Sequence, residues 1–111
     1  MSEPSVFVAP TSLPWSETAF AGVRWKALHY DPVSGRSAFL LHLEPGASYP
    51  MHRHTEWEDY LVVEGSVQDA GALREAGTYV HHPGGSAHRL ETAGGCLLFV
   101  SLAAPIELLK E

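Results

Sequence analysis

Turn-forming residues punctuate this chain at short intervals. Between them apolar residues come in runs of four to eight rather than at helical spacing. The punctuation is Asp31-Pro32 with Ser34-Gly35, Glu44-Pro45-Gly46, Asp69-Ala70-Gly71, Pro83-Gly84-Gly85 and Ala93-Gly94-Gly95. Strands are predicted over Val6–Ala9, Val23–Tyr30, Arg36–Leu43, Glu58–Glu64, Ser66–Asp69, Gly77–His82, Ala87–Thr92 and Gly95–Leu102. Many short strands at this spacing imply an all-β sandwich or barrel. At 111 residues the chain is expected to be one domain. Residues 1–15, with Pro10 and Pro14, read as an N-terminal arm that adds an edge strand or packs on a partner. The tail over 103–111 is expected to make one helical turn from Ile106 or to fray.

Charge removes several function classes. The net charge is −6 and the basic residues are scattered, so bulk electrostatics favour neither nucleic acid nor an anionic membrane. The start, MSEPSVFVAP, lacks the basic and apolar regions of a secretory signal, and the strongest apolar run, Cys96–Val100, is too short to span a bilayer. With a single cysteine there is no intrachain disulfide, and the expected location is the cytoplasm.

Five of the seven histidines fall between His52 and His88. His52, His54 and Glu58 have equal parity, so along an extended chain, or across a short reversal, they point the same way. Imidazoles with one carboxylate suit Fe, Mn, Ni, Zn or Cu better than Ca or Mg. His88, just after Pro83-Gly84-Gly85, is the obvious fourth ligand. Four protein ligands leave room on a five- or six-coordinate ion for water or a substrate.

At these residues the chain resembles the cupins. Gly46, five residues, His52-Arg53-His54, three residues, Glu58, six residues, Gly65 matches the first cupin motif. Gly77, five residues, Pro83-Gly84-Gly85, two residues, His88 matches the second. Thr92 stands where that motif usually ends in a structural Asn. The stretches Gly22–Leu28, Asp31–Gly35, Leu41–Pro50, Gly77-Thr78-Tyr79 and Gly95–Leu98 look like the ChrR cupin-like family in particular. The resemblance implies a double-stranded β-helix, a jelly-roll barrel. It also implies one divalent ion per chain, zinc or iron before nickel or manganese, on His52, His54, Glu58 and His88. The sigma-binding half of ChrR has no counterpart here, so an anti-sigma role is not carried over.

Several other residues carry two readings. Tyr60 continues the face of Glu58 and either hydrogen-bonds a bound ligand or is a core aromatic whose hydroxyl finds a protein partner. His82, rather than His81, shares parity with His88 and is a candidate outer contact, though both also read as half-exposed strand residues. His42 could line the barrel mouth and reads more simply as an ordinary strand residue, as does His29. Cys96 reads as an inert apolar residue. Trp25 and Trp57 line a pocket or pack beneath it.

Two functions compete. One is a stand-alone metal-binding cupin that takes a small ligand at the metal, like the ChrR domain. The other is an Fe(II) dioxygenase cleaving a carbon–carbon bond of a small ketone or diketone. An apolar cavity above an open metal would favour the enzyme. No lysine or His–Asp pair stands out for isomerase chemistry. An exposed sheet edge and apolar face of the kind usual in small cupins lead us to expect a homodimer.

Overall fold

The computed structural model describes residues 4–109; residues 1–3 of the arm and 110–111 of the tail lie outside the described residues. A 3₁₀ turn at Pro10–Ser12 precedes ten strands: β1 (Ser16–Glu17), β2 (Val23–Tyr30), β3 (Ser37–Leu43), β4 (Ser48–His54), β5 (Glu58–Asp69), β6 (Ala72–Glu75), β7 (Tyr79–His82), β8 (Ala87–Glu91), β9 (Cys96–Leu102) and β10 (Ile106–Leu108). All pairings are antiparallel, in the order β1-β2-β3-β9-β5-β8-β4-β10, with β6 and β7 also on β5. The sheet curls into two layers. The first is β1, β2, β3, β9, β7 and the start of β5; the second is β10, β4, β8, β6 and the end of β5. This is the expected all-β jelly-roll barrel.

β5 is the element that closes it. Its first half pairs with β9 and β7, and beyond Gly65 it pairs with β6 and β8. The register slips between Val62 and Glu64, and Gly65 follows with φ +73°. Nine residues of straight strand would span about 30 Å. Here the Tyr60 hydroxyl reaches the Asp69 carboxylate at 2.5 Å, so the strand bends back on itself. A bulge with a left-handed glycine is the usual way to make such a bend.

The core lies between the layers. Leu41 and Leu43 of β3, Tyr60 and Val62 of β5, and Leu98, Val100 and Leu102 of β9 face inward from the first layer, against Val67 of β5 and Leu90 of β8 from the second. Buried and less buried positions follow in turn along β2 and β9, but on β9 the inward face is Leu98, Val100 and Leu102. Leu97 and Phe99, which as one face of an apolar strand read most simply as core, lie on the other side. Thr92 is buried and carries the role its place in the motif implied. Its hydroxyl donates to the Ser66 carbonyl (2.7 Å) and accepts from the Gly95 N–H (2.9 Å), tying the end of β8 to β5 and to the next turn.

Four further expectations need correction. Val6–Ala9 is not a strand, because no neighbouring strand takes its hydrogen bonds and Phe7 stands 93% exposed. The tail makes no helical turn over its described part. Ile106–Leu108 pairs with the free edge of β4, Ile106 opposite His54 and Leu108 opposite His52. Glu58–Glu64 and Ser66–Asp69 are one bent strand rather than two. Ser48–His54, which carries two of the histidines, is a full strand that the punctuation had not marked. Among the described residues no helix is long and apolar enough to cross a membrane.

Candidate metal centre

β4 presents His52 and His54 on its buried face, separated by exposed Arg53. β8 lies beside it with His88 opposite His52. After the short reversal 55–57, Glu58 opens β5 from the other layer. One ligating atom from each of the four lies within 4.8 Å of every other, and all four residues are buried.

The hydrogen bonds aim the histidines. His52 Nδ1 lies 2.9 Å from the Pro50 carbonyl, which can only accept, so a neutral His52 carries its proton there. His88 Nδ1 is 2.8 Å from Asp69 Oδ1 and donates likewise. His54 Nδ1 is 3.2 Å from Ser86 Oγ, whose own proton goes to the Pro83 carbonyl at 2.6 Å, so that oxygen accepts. Each ring therefore keeps a lone pair on Nε2. This is the arrangement by which outer partners set the tautomer of metal-ligating imidazoles.

Nε2 of His54 and of His88 are buried without a hydrogen-bond partner. His54 Nε2 lies 3.1 Å from Glu58 Oε2 and His88 Nε2 3.6 Å from Glu58 Oε1, yet neither contact has hydrogen-bond geometry. Donors about 2.0–2.2 Å from a shared divalent ion sit about 3.0–3.5 Å from one another. Orphaned lone pairs facing a carboxylate at that spacing fit such an ion. Burial, with smaller effects from the neighbouring groups, drops the His52 pKa to about 4. His52 is thus neutral at pH 7, the state a ligand needs.

Asp69 completes the support. It is buried, and besides His88 its carboxylate accepts from Tyr60 (2.5 Å) and from His82 Nε2 (2.8 Å). Burial alone would raise its pKa, but the hydrogen bonds from His82, His88 and Tyr60 prevail and hold it well below the usual carboxylate range. The hydrogen bond to Asp69 outweighs burial to raise the pKa of His82, while burial and then Asp69 push the Tyr60 phenol up.

An apolar cavity of about 180 Å³ opens beside the group. His52 and Glu58 reach its wall, which is otherwise built from Trp25, Phe39, Leu41, Leu90, Leu98, Val100, Leu102 and Ile106, with Tyr49, Tyr60 and Thr18 as its remaining polar members. No lysine or arginine lines it. Burial and then the Glu58 charge push the Tyr49 phenol above its ordinary value.

The structure brings together the four residues singled out by spacing and sets His82 and Tyr60 behind them on Asp69. His42 goes elsewhere. It projects from the face of β3 opposite buried Leu41 and Leu43, its ring 5.6 Å from that of Trp15, and it is not part of the cavity wall. The reason is parity, since an even position on β3 looks outward. His81 is exposed and pairs with Asp59. Sequence reasoning missed Asp69 and its pairing with His82, a His–Asp pair beside the ligands that spacing did not reveal. It also missed Tyr49. Parity could not have found Asp69, which is odd where Glu58 and Tyr60 are even. The register shift between Val62 and Glu64 reverses the facing of the strand beyond it and turns Asp69 inward.

Solved structures place this architecture among cupins. An acetylacetone dioxygenase from Acinetobacter johnsonii superposes with a TM-score of 0.85 at 18% identity, covering 100% of this chain and 80% of the other. A Methylibium petroleiphilum PM1 protein, provisionally assigned as an acetylacetone dioxygenase, gives 0.92 at 21% identity, with 99% and 84% covered. ChrR, in its complex with SigE from Rhodobacter sphaeroides, gives 0.69 at 24% identity, with 79% and 47% covered. No curated protein is detectably similar in sequence. The ChrR Cupin-like domain model matches residues 3–105, and with the fold and the buried His/Glu group in place the chain belongs to that family.

Proposed function

We propose that this chain, as one cupin domain, holds a single divalent ion on His52, His54, Glu58 and His88 and binds a small oxygen-bearing molecule in the cavity beside it. The observation that carries this reading is the pair of buried Nε2 atoms of His54 and His88, unpartnered and turned toward Glu58. Zinc or iron suits the donor set best, with nickel and manganese also compatible. A bound ion would supply Lewis acidity toward an oxygen donor and, as iron(II), electrons for O2. The chain's own part is to hold three imidazoles in one tautomer, anchor His88 through Asp69, and exclude water with the apolar wall.

Of the two chemistries compatible with this site, the apolar cavity favours an Fe(II) dioxygenase acting on a small ketone or diketone over a binding module without catalysis. Two structural neighbours bear the name of such an activity on acetylacetone. Elemental analysis of protein purified without chelator or metal-binding tag comes first, then oxygen uptake after anaerobic Fe(II) loading with acetylacetone as the probe. Near-stoichiometric metal with ketone-dependent uptake is expected. Tightly held zinc and no uptake after iron loading would leave the ligand-binding module, and no bound metal would end both readings.

The protein is also read as a homodimer through the outer face of its first layer. Cross-strand register lines up Lys26, Leu40, Phe99, Leu61 and Tyr79 there, and the next inter-strand row runs Arg24, His42, Leu97, Glu64. Leu61, Phe99 and Tyr79 are 40%, 38% and 61% exposed. A two-fold axis along the strands would lay these exposed apolar side chains of the two copies against one another. Light scattering on the eluting peak should give twice the chain mass; a monomer at micromolar concentration would refute this interface.

A further inference from the structure

The cavity's polar groups are nearly all committed to the protein. Thr18 Oγ1 donates to the Val23 carbonyl (2.7 Å) and accepts from the Phe20 N–H (3.1 Å). Tyr60 donates to Asp69, and His52 Nδ1 to Pro50. Two donor-bearing side chains on the wall make no hydrogen bond with any described residue, Trp25 and Tyr49. Trp25 is 37% exposed and stands toward solvent. Tyr49 is not free to swing. Its ring packs edge-on against Phe20 (5.1 Å, 67°) and against the imidazole of His52 (5.0 Å, 83°).

The backbone is shaped to put it there. Tyr49 and His52 have opposite parity, and in a regular strand they would face opposite sides of the sheet. The register between β4 and β8 shifts between them, with Tyr49 opposite Leu90 and His52 opposite His88, so three steps on β4 match two on β8. That one-residue bulge restores both side chains to the cavity, the re-aiming for which bulges are found beside binding sites. A regular strand would have buried one of the two at the other's expense.

Resting on the metal-centre reading above, we propose that Tyr49 is a ligand-binding residue. Its hydroxyl donates a hydrogen bond to the oxygen by which a small molecule with an apolar body sits at the centre formed by His52, His54, Glu58 and His88. A phenol with an ordinary pKa near 10 carries its proton at neutral pH and can donate. With no cation on the wall, this hydroxyl is the cavity's own means of recognising an oxygen acceptor. The volume limits the body, since an apolar cavity of about 150 Å³ accommodates benzene. The ligand class is therefore a molecule of roughly that size whose one polar end is an enolate-, phenolate- or carboxylate-type oxygen.

Tyr49→Phe keeps the ring and its contacts and removes only the hydroxyl. The test uses cobalt(II)-loaded full-length protein and follows the visible spectrum during titration with two probes. Acetohydroxamate presents acceptor oxygens, whereas imidazole binds through nitrogen and offers none. We expect unchanged cobalt stoichiometry, a melting temperature within about 2 °C of the parent, and acetohydroxamate binding weakened about tenfold with imidazole binding unchanged. Equal affinity for acetohydroxamate in both proteins would overturn the assignment, and so would an equal loss for both probes, which marks a packing role. Failure of the parent itself to take up cobalt would instead fall on the metal-centre reading, and on this inference with it.

Discussion

His54→Ala is expected to lower bound metal from near one ion per chain to near zero, with elemental analysis of protein purified in parallel as the measurement. His54 is 1% exposed and offers the Nε2 that no protein group partners. Alanine cannot reach the site, and β4 cannot move another side chain into place, because Arg53 and Thr55 face away. Loss of a partner that only orients a ligand costs about 10–100-fold in metal affinity. Removal of a ligand should cost at least about 100-fold. Chelating the parent should lower its melting temperature too, since an ion that binds only the folded chain stabilises it by mass action. Full stoichiometric metal in the alanine variant would remove His54 from the site.

Gly65→Ala should be the most damaging single-methyl change in the barrel. A Cβ at this position would stand 2.1 Å from the Gly95 carbonyl oxygen and 3.0 Å from the Cys96 Cα, both backbone atoms of the adjoining turn and strand. The residue also has φ +73°, where a side chain by itself costs about 1–3 kcal/mol. Relief of the contact would have to part β5 from β9 where Gly65 pairs with Cys96. A loss of about 3–5 kcal/mol is expected, a size reached only by mechanisms of this kind. For a chain of this length that means a melting temperature lower by roughly 15 °C or more. Urea denaturation measures it directly, and a midpoint close to the parent's would show that β5 does not depend on this bend. Gly46 and Gly77 also have positive φ, but no atom lies within 4 Å of a Cβ there, so their alanine variants should cost less.

The two variants probe different layers of information. The nearness of His52, His54 and Glu58 was legible because it follows from parity along a few consecutive residues and one short reversal. His88 was legible only through its motif, because its approach depends on β8 lying beside β4. β2 matched its predicted limits, Val23–Tyr30, and β3 began one residue later than expected, because alternating burial is written locally in both. β10 was missed because three residues of tail have no local reason to be extended, and they are strand only because β4 offers them an unpaired edge. His42 read more simply as an ordinary strand residue than as part of the barrel mouth, and it lies on the outward face of β3.

By itself, then, the amino-acid sequence determined the all-β class, because turn chemistry and period-two alternation act between neighbours in the chain. The family and the full set of histidines and carboxylate that could hold an ion were legible through the resemblance of its two motifs. Tertiary structure alone decided the rest. The bend at Gly65 brings Asp69 back to Tyr60, His82 and His88, and the bulge in β4 turns Tyr49 toward the cavity. Both depend on how strands register against partners distant in sequence. One added residue in a ladder reverses the facing of every side chain beyond it, and nothing in the local sequence records where that residue is added.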